Sequence, residues 1–138
     1  MEPLRIMIVE DDAMIALLLD AVLRDMGHEV CASETSEGEA IAAALRCGPD
    51  LMVVDENISG GSGMAVVDAV LENGPVPHLF VTGDARRIQA LRPDAIVIQK
   101  PFFEVDLARG IQRAMARESA SPSREHPVQR PAEPPTRL

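Results

Sequence analysis

The chain has 138 residues, with 22 acidic against 13 basic side chains, a formal charge of -9 and three phenylalanines as its only Phe, Trp or Tyr residues. This length suits one domain of ordinary size, the acidic balance disfavours nucleic acid as a partner, and charges interrupt every apolar stretch well before the roughly 18 residues a membrane span needs. Residues 118–138 hold five of the eleven prolines and equal numbers of acids and arginines, so the negative charge belongs to residues 1–117. The expected organisation is a folded domain over 1–117 followed by a Pro-rich disordered tail over 118–138. Cys31 and Cys47 lack metal-like spacing and no secretory signal precedes them, which points to reduced thiols in a cytoplasm.

Taken in order, residues 4–9 form an apolar run that closes on Glu10-Asp11-Asp12. Ile15, Leu18, Leu19, Val22 and Met26 then recur at helical spacing up to Gly27, predicting a helix over 13–26. A short strand follows over 29–32, and Ser36-Glu37-Gly38-Glu39 has capping-box spacing ahead of a second helix that ends at Gly48-Pro49. The run 51–54 closes on Asp55-Glu56, and the glycine-rich loop Gly60-Gly61-Ser62-Gly63 leads into a third helix carried by Met64, Val67, Val70 and Leu71.

Strand 78–82 ends on Thr82-Gly83, and strand 95–98 on Gln99-Lys100-Pro101-Phe102. Between these two strands only Ile88, Ala90 and Leu91 supply an apolar face, so the fourth helix should be short or frayed. The last helix has Leu107, Ile111, Ala114 and Met115 on its apolar face, with Glu104 and Asp106 early and Arg109, Arg113 and Arg117 later, matching the helix dipole. Five alternations of strand and helix predict an α/β fold with a doubly wound five-stranded parallel sheet.

In such a sheet ligands bind outside the carboxyl ends of the strands. Glu10-Asp11, Asp55, Thr82 and Lys100 would therefore meet in one crevice. Lys100 is the single lysine of the chain, where arginine serves every other basic position, so the site asks for a compact ammonium on a thin stem. Taken singly, each motif has a plainer explanation: an acidic first helical turn, turn residues after a strand, a structural threonine, a solvated lysine. Their joint order at four strand ends is the informative signal.

On those residues, the segment 4–117 resembles the receiver domain of bacterial two-component response regulators. The resemblance implies a flavodoxin-like fold with strand order 2-1-3-4-5. It implies Asp55 as the nucleophile that takes a phosphoryl group from a phosphohistidine. It also implies Mg2+ held by the Asp11 and Asp55 carboxylates and the Asn57 backbone carbonyl, with Glu10 acting through water. Thr82 and Lys100 would then contact phosphoryl oxygens. Asn57 and Asp84, two residues after the acceptor and the threonine, would modulate access of the hydrolytic water, with fairly rapid autodephosphorylation expected. A cis peptide before Pro101 is implied too, although the sequence itself leaves it open.

Three departures qualify that picture. Ser59-Gly60-Gly61 replaces a segment that often contains proline, so a looser loop is expected. Val97 stands where many members have an aromatic switch residue, and the short spacing from Thr82 to Lys100 removes about a turn from helix four. Pro77-His78-Leu79-Phe80-Val81-Thr82-Gly83 partly resembles the Pro-Phe-x-Phe-Ala-Thr-Gly signature of a subgroup often partnered with HWE-type histidine kinases, in which helix four is poorly ordered. Signalling by a change of order in that helix is the corresponding expectation.

No effector motif follows residue 117. The expected protein is a single-domain response regulator, not an enzyme beyond its own phosphotransfer and autodephosphorylation. Its partners would be a sensor histidine kinase or phosphotransfer protein and a downstream protein, with neither nucleic acid nor membrane, and it would signal by phosphorylation-dependent binding or act as a phosphate sink. Two alternatives stand beside this: an adaptor that is never phosphorylated, and a small phosphatase of the haloacid dehalogenase type. Against the latter, Asn57 occupies the position where such enzymes carry a second aspartate, and the acid pair lies on another strand.

Overall fold

Every apolar run becomes a strand whose last residue hands the chain to a polar turn and then to a capped helix. The computed structural model describes residues 2–120, and from residue 121 on the expected tail lies outside the described residues. In chain order the elements are β1 (Arg5–Val9), α1 (Ala13–Asp25), β2 (Glu29–Glu34), α2 (Glu37–Cys47), β3 (Leu51–Val54), β4 (Asn57–Ile58), β5 (Gly61–Ser62), α3 (Gly63–Leu71), β6 (His78–Thr82), α4 (Ala85–Leu91), β7 (Val97–Gln99) and α5 (Glu104–Ala120). The main sheet runs β2-β1-β3-β6-β7 with all pairs parallel. Setting aside the two-residue ribbon β4–β5, this is the order 2-1-3-4-5.

Side chains alternate across a strand, so the central strands feed two apolar layers. On one face Ile6, Ile8, Val53, Leu79 and Val81 pack with Leu19 and Leu23 of α1 and Leu107 and Ile111 of α5. On the other, Met7, Val9, Met52, Val54 and Phe80 pack with Ala40, Ala43 and Ala44 of α2, Val66, Val67 and Val70 of α3, and Ile88 of α4. The alanine stripe gives α2 a small-side-chain contact face. Full burial of a side chain such as Leu107 or Phe80 stabilises the fold by about 2 kcal/mol, and α4 contributes just one such residue.

The helix caps sit on the same side as the strand ends. Asp12 Oδ1 accepts from Met14 N (2.9 Å) and Ile15 N (3.2 Å), Ser36 Oγ from Glu39 N (3.4 Å), Ser62 Oγ from Ala65 N (3.1 Å) and Asp84 Oδ1 from Arg87 N (3.3 Å). Each satisfies an orphan amide of a first turn. Gly48, at φ 59°, closes α2 in the left-handed conformation.

Several details differ from the sequence reading. Leu18 is 52% exposed, with Met14 and Leu17 also exposed, because the buried stripe of α1 runs through Leu19 and Leu23. Strand β2 extends to Glu34, its register to β1 skipping one residue between the pairs Ile6–Val30 and Met7–Ala32. The last strand begins at Val97 because Ala95 N is taken by Arg92 O in a turn. The Ser59-Gly60-Gly61 loop is tied down: Ser59 N donates to Thr35 O, Glu37 N to Ser59 O and Ser62 N to Glu37 Oε1. Helix α4 spans seven residues, short as expected. Helix α5 continues to Ala120.

Candidate functional site

Strands β1 and β3 are neighbours at the centre of the sheet with Val9 opposite Val54, so Glu10 and Asp55 emerge side by side. Asp55 N donates to Val9 O at 2.8 Å, fixing that emergence. On the other flank Lys100 N donates to Thr82 O at 2.7 Å, which ties the end of β7 to the end of β6. Lys100 then reaches back across the sheet: Nζ donates to Glu10 Oε1 (3.0 Å) and to Asp55 Oδ2 (3.3 Å). Glu10, Asp55 and Thr82 are buried, whereas Asp11 is exposed at the rim. Carboxylate oxygens of Glu10, Asp11 and Asp55 lie within 4.8 Å of one another.

One ammonium facing three carboxylates leaves the pocket with excess negative charge. Burial pushes the Glu10 carboxyl above its ordinary range, outweighing its hydrogen bonds from Asp12 N and Lys100. Burial works against the Lys100 ammonium, yet its hydrogen bond to Glu10 and the nearby charge of Asp55 prevail and raise its pKa. Lys100 is therefore held in its charged form. The donor set is made of hard oxygens, as Mg2+ prefers, and the surplus charge suits a divalent cation.

Around this centre, Asn57 N donates to Asp55 Oδ1 at 3.3 Å, with the residue itself exposed in β4. Asp84 N donates to Thr82 Oγ1 at 3.1 Å, so the hydroxyl oxygen accepts and its proton is available to another acceptor. The Asp84 carboxylate is exposed and engaged as the cap of α4. The Lys100–Pro101 peptide is cis. His28 and His78 lie outside the site, each in a backbone hydrogen bond, with Leu4 N and Val76 O respectively.

Three residues shape the site without having been singled out by sequence. Glu56 is buried; Oε1 accepts from Met64 N (2.9 Å), while Oε2 lies 3.6 Å from Arg87 Nη1 of α4. It ties the turn after β3 to α3 and to α4. Its only signal was an acid placed ahead of a helix start. Gly63 has no room for a side chain: a Cβ there would fall 2.2 Å from Asp55 O. The Gln99 side chain donates to Gly83 O (2.7 Å) and accepts from Ala85 N (2.9 Å), clipping the turn after Thr82 to β7.

Fold and site together define a doubly wound α/β domain with an acidic, lysine-bridged pocket at the centre of its sheet. The response regulator receiver domain family matches residues 6–112, and the chain belongs to it. It is 31% identical over 124 residues to the phyllosphere-induced regulator PhyR of Methylorubrum extorquens, a match covering 87% of this chain and 46% of that protein. This chain thus spans about half the length of that curated relative. The receiver domain of Erythrobacter litoralis PhyR superposes with a TM-score of 0.76 at 26% identity, over 83% of this chain and 91% of that one. A mutant of the Bartonella quintana anti-anti-sigma factor PhyR gives 0.75 at 26% identity, over 86% and 51%. Among the described residues, no helix is long and apolar enough to cross a membrane.

Proposed function

We propose that this receiver domain accepts a phosphoryl group on Asp55 in a Mg2+-dependent reaction. The observation that carries this reading is the Lys100 ammonium bridging Glu10 and Asp55 beside a third carboxylate, Asp11. An Asp55 carboxylate oxygen forms the new P–O bond while the P–N bond of a donor phosphohistidine breaks, its electron pair returning to the imidazole. Lys100 is within reach to follow the phosphoryl oxygens, and the Thr82 hydroxyl has a proton to donate to one of them. Such transfer is mainly positioning and charge stabilisation, which suits a pocket whose groups are fixed by strand ends.

For the metal, Asp11, Asp55 and the Asn57 carbonyl would be direct ligands and Glu10 an indirect one through water. The bound ion would offset the clustered carboxylates and neutralise phosphoryl oxygens. Asn57, whose N–H donates to Asp55 Oδ1, and Asp84, whose N–H donates to Thr82 Oγ1, would govern how readily water reaches the acyl phosphate.

The surroundings support a protein donor. Met14, Leu17 and Leu18 of α1 and Phe103 are exposed, and a groove of about 290 Å³ lies between Ile15, Leu18, Lys100, Pro101 and Phe102. An apolar face beside the acceptor is what a helix presenting a phosphohistidine requires. A sensor histidine kinase, of HWE type on the sequence signature, or a phosphotransfer protein is the proposed donor. Downstream, the domain would bind a protein when phosphorylated or drain phosphoryl groups as a sink; likeness to an anti-anti-sigma factor favours a partner in sigma-factor control.

Intact mass after incubation with phosphoramidate, a small P–N donor, tests the reading. A single phosphoryl adduct that requires Mg2+ and vanishes in Asp55→Asn is expected. An adduct surviving that substitution, or no adduct and no beryllofluoride binding, would overturn it in favour of an unphosphorylated adaptor.

A further inference from the structure

The chain has two cysteines, and the fold brings them together. Cys31 lies in β2, the strand at the opposite end of the sheet from β7. Its place there is irregular: Ile6 pairs with Val30 and Met7 with Ala32, so Cys31 is the extra residue of a bulge, a feature that re-aims a side chain. Strict alternation would put Cys31 and Ala32 on opposite faces, yet both pack on the layer that holds α2 and α3. Cys47, the last residue of α2, meets Cys31 there. Its thiol donates to Cys31 O at 3.5 Å, and the two thiols lie within hydrogen-bonding reach of each other.

Both cysteines are free and partly exposed. Arg5 Nη1 donates to Cys47 O (2.5 Å) and Gly48 O (3.3 Å), which sets a guanidinium beside the pair. Burial and the neighbouring Cys47 sulfur push the Cys31 thiol above its ordinary range, with the Arg5 charge opposing them. Cys31 therefore rests as a thiol. Cysteine as a small apolar filler would account for either residue alone, but not for two sulfurs in contact at a bulge.

We propose that Cys31 and Cys47 form a reversible dithiol–disulfide site, oxidised by a low-molecular-weight disulfide. One cysteine, as thiolate, attacks the S–S bond of the oxidant, and a small thiolate leaves with the electron pair. The second cysteine sulfur attacks the protein sulfur of that mixed disulfide, forming the Cys31–Cys47 bond and expelling the second small thiolate. The protein gives up two protons and two electrons, and the oxidant becomes two thiols. The new bond closes residues 31–47 into a loop and holds edge strand β2 to the end of α2. Neither cysteine belongs to the Asp55 pocket, so the site stands independently of phosphorylation.

The test is equilibration of the full chain in glutathione redox buffers, in native conditions and in urea, quenched with N-ethylmaleimide and read as intact mass. The expected product is lighter by two hydrogens, carries no maleimide, shows the tryptic fragments on either side of Arg46 linked, and reverts in dithiothreitol. Because a bond that fits the fold is favoured by it, the native disulfide constant should exceed that in urea at least about tenfold. Cys31→Ala and Cys47→Ala, checked for folding by circular dichroism, should each give no internal link. A native constant equal to or below that in urea, a bond joining two copies, stable glutathione adducts in place of the link, or two maleimide-reactive thiols at every redox ratio would each overturn the proposal.

Discussion

The centre of the sheet and its β7 edge are built to opposite specifications. At the centre, β1 and β3 are flanked by strands on both sides, and every residue from Ile6 to Val9 and from Leu51 to Val54 is buried. Glu10 and Asp55 inherit that fixity through the ladder and through Lys100. At the edge, Ile88 is the one buried residue of α4, supplemented by the Asp84 cap, by hydrogen bonds from Ala85 N to Gln99 Oε1 (2.9 Å) and from Gln89 Nε2 to Ala95 O (3.2 Å), and by Arg92–Asp68 (2.7 Å) and Arg87–Glu56 (3.6 Å). Partly exposed ion pairs of this kind are worth about 0–1 kcal/mol each. On the proposed function, chemistry that needs fixed positions would lie in the most enclosed part of the sheet, and the responding segment where a few kcal/mol would decide its order.

Four substitutions would break or sharpen this contrast. Gly63→Ala should have the largest effect, a global loss of about 3 kcal/mol or more in denaturant unfolding, since backbone at Asp55 O must shift to admit the methyl group. Ile88→Ala should cost about 2–3 kcal/mol locally, seen as faster hydrogen exchange over residues 85–91 with β1 and β3 unchanged; uniform loss of protection would erase the distinction between the regions. Glu10→Gln should raise the melting point of the metal-free protein, because burial disfavours the charged carboxylate, and should weaken Mg2+ binding; a lower melting point would contradict that reading.

The smallest effect concerns His78, whose pKa burial lowers from its usual 6.5. The unfolded chain takes up the proton first, so stability should fall as pH drops below about 6.5 toward the folded-state value. His78→Asn should flatten that slope in thermal melts, and an unchanged slope would assign it to other groups.

Much of the centre was legible in the sequence because it depends on alternation and on strand ends, which are local signals. The turns after Val9, Val54, Val81 and Ile98 announce themselves as apolar runs giving way to acids, threonine and the single lysine. The thinness of α4 was equally readable from its few apolar residues. Less visible were features set by tertiary contact. Leu18 and Leu23 both fit an apolar helix, and only the packing of α1 against the sheet decides that Leu23 is buried and Leu18 exposed. Glu56 and Gln99 act through partners supplied by other elements, Arg87 and the Gly83–Ala85 turn, and so carry no signal in their own spacing. The β4–β5 ribbon depends on Glu37 of α2, which the glycine-rich loop does not encode by itself.

The most direct measurement is hydrogen exchange across the full chain in Mg2+, with and without beryllofluoride as a mimic of the phosphorylated state. The contrast between a fixed centre and a responsive edge predicts altered protection over residues 84–94, with β1 and β3 keeping theirs. Beryllofluoride bound at Asp55 with unchanged protection over 84–94, or change confined to the central strands, would contradict it.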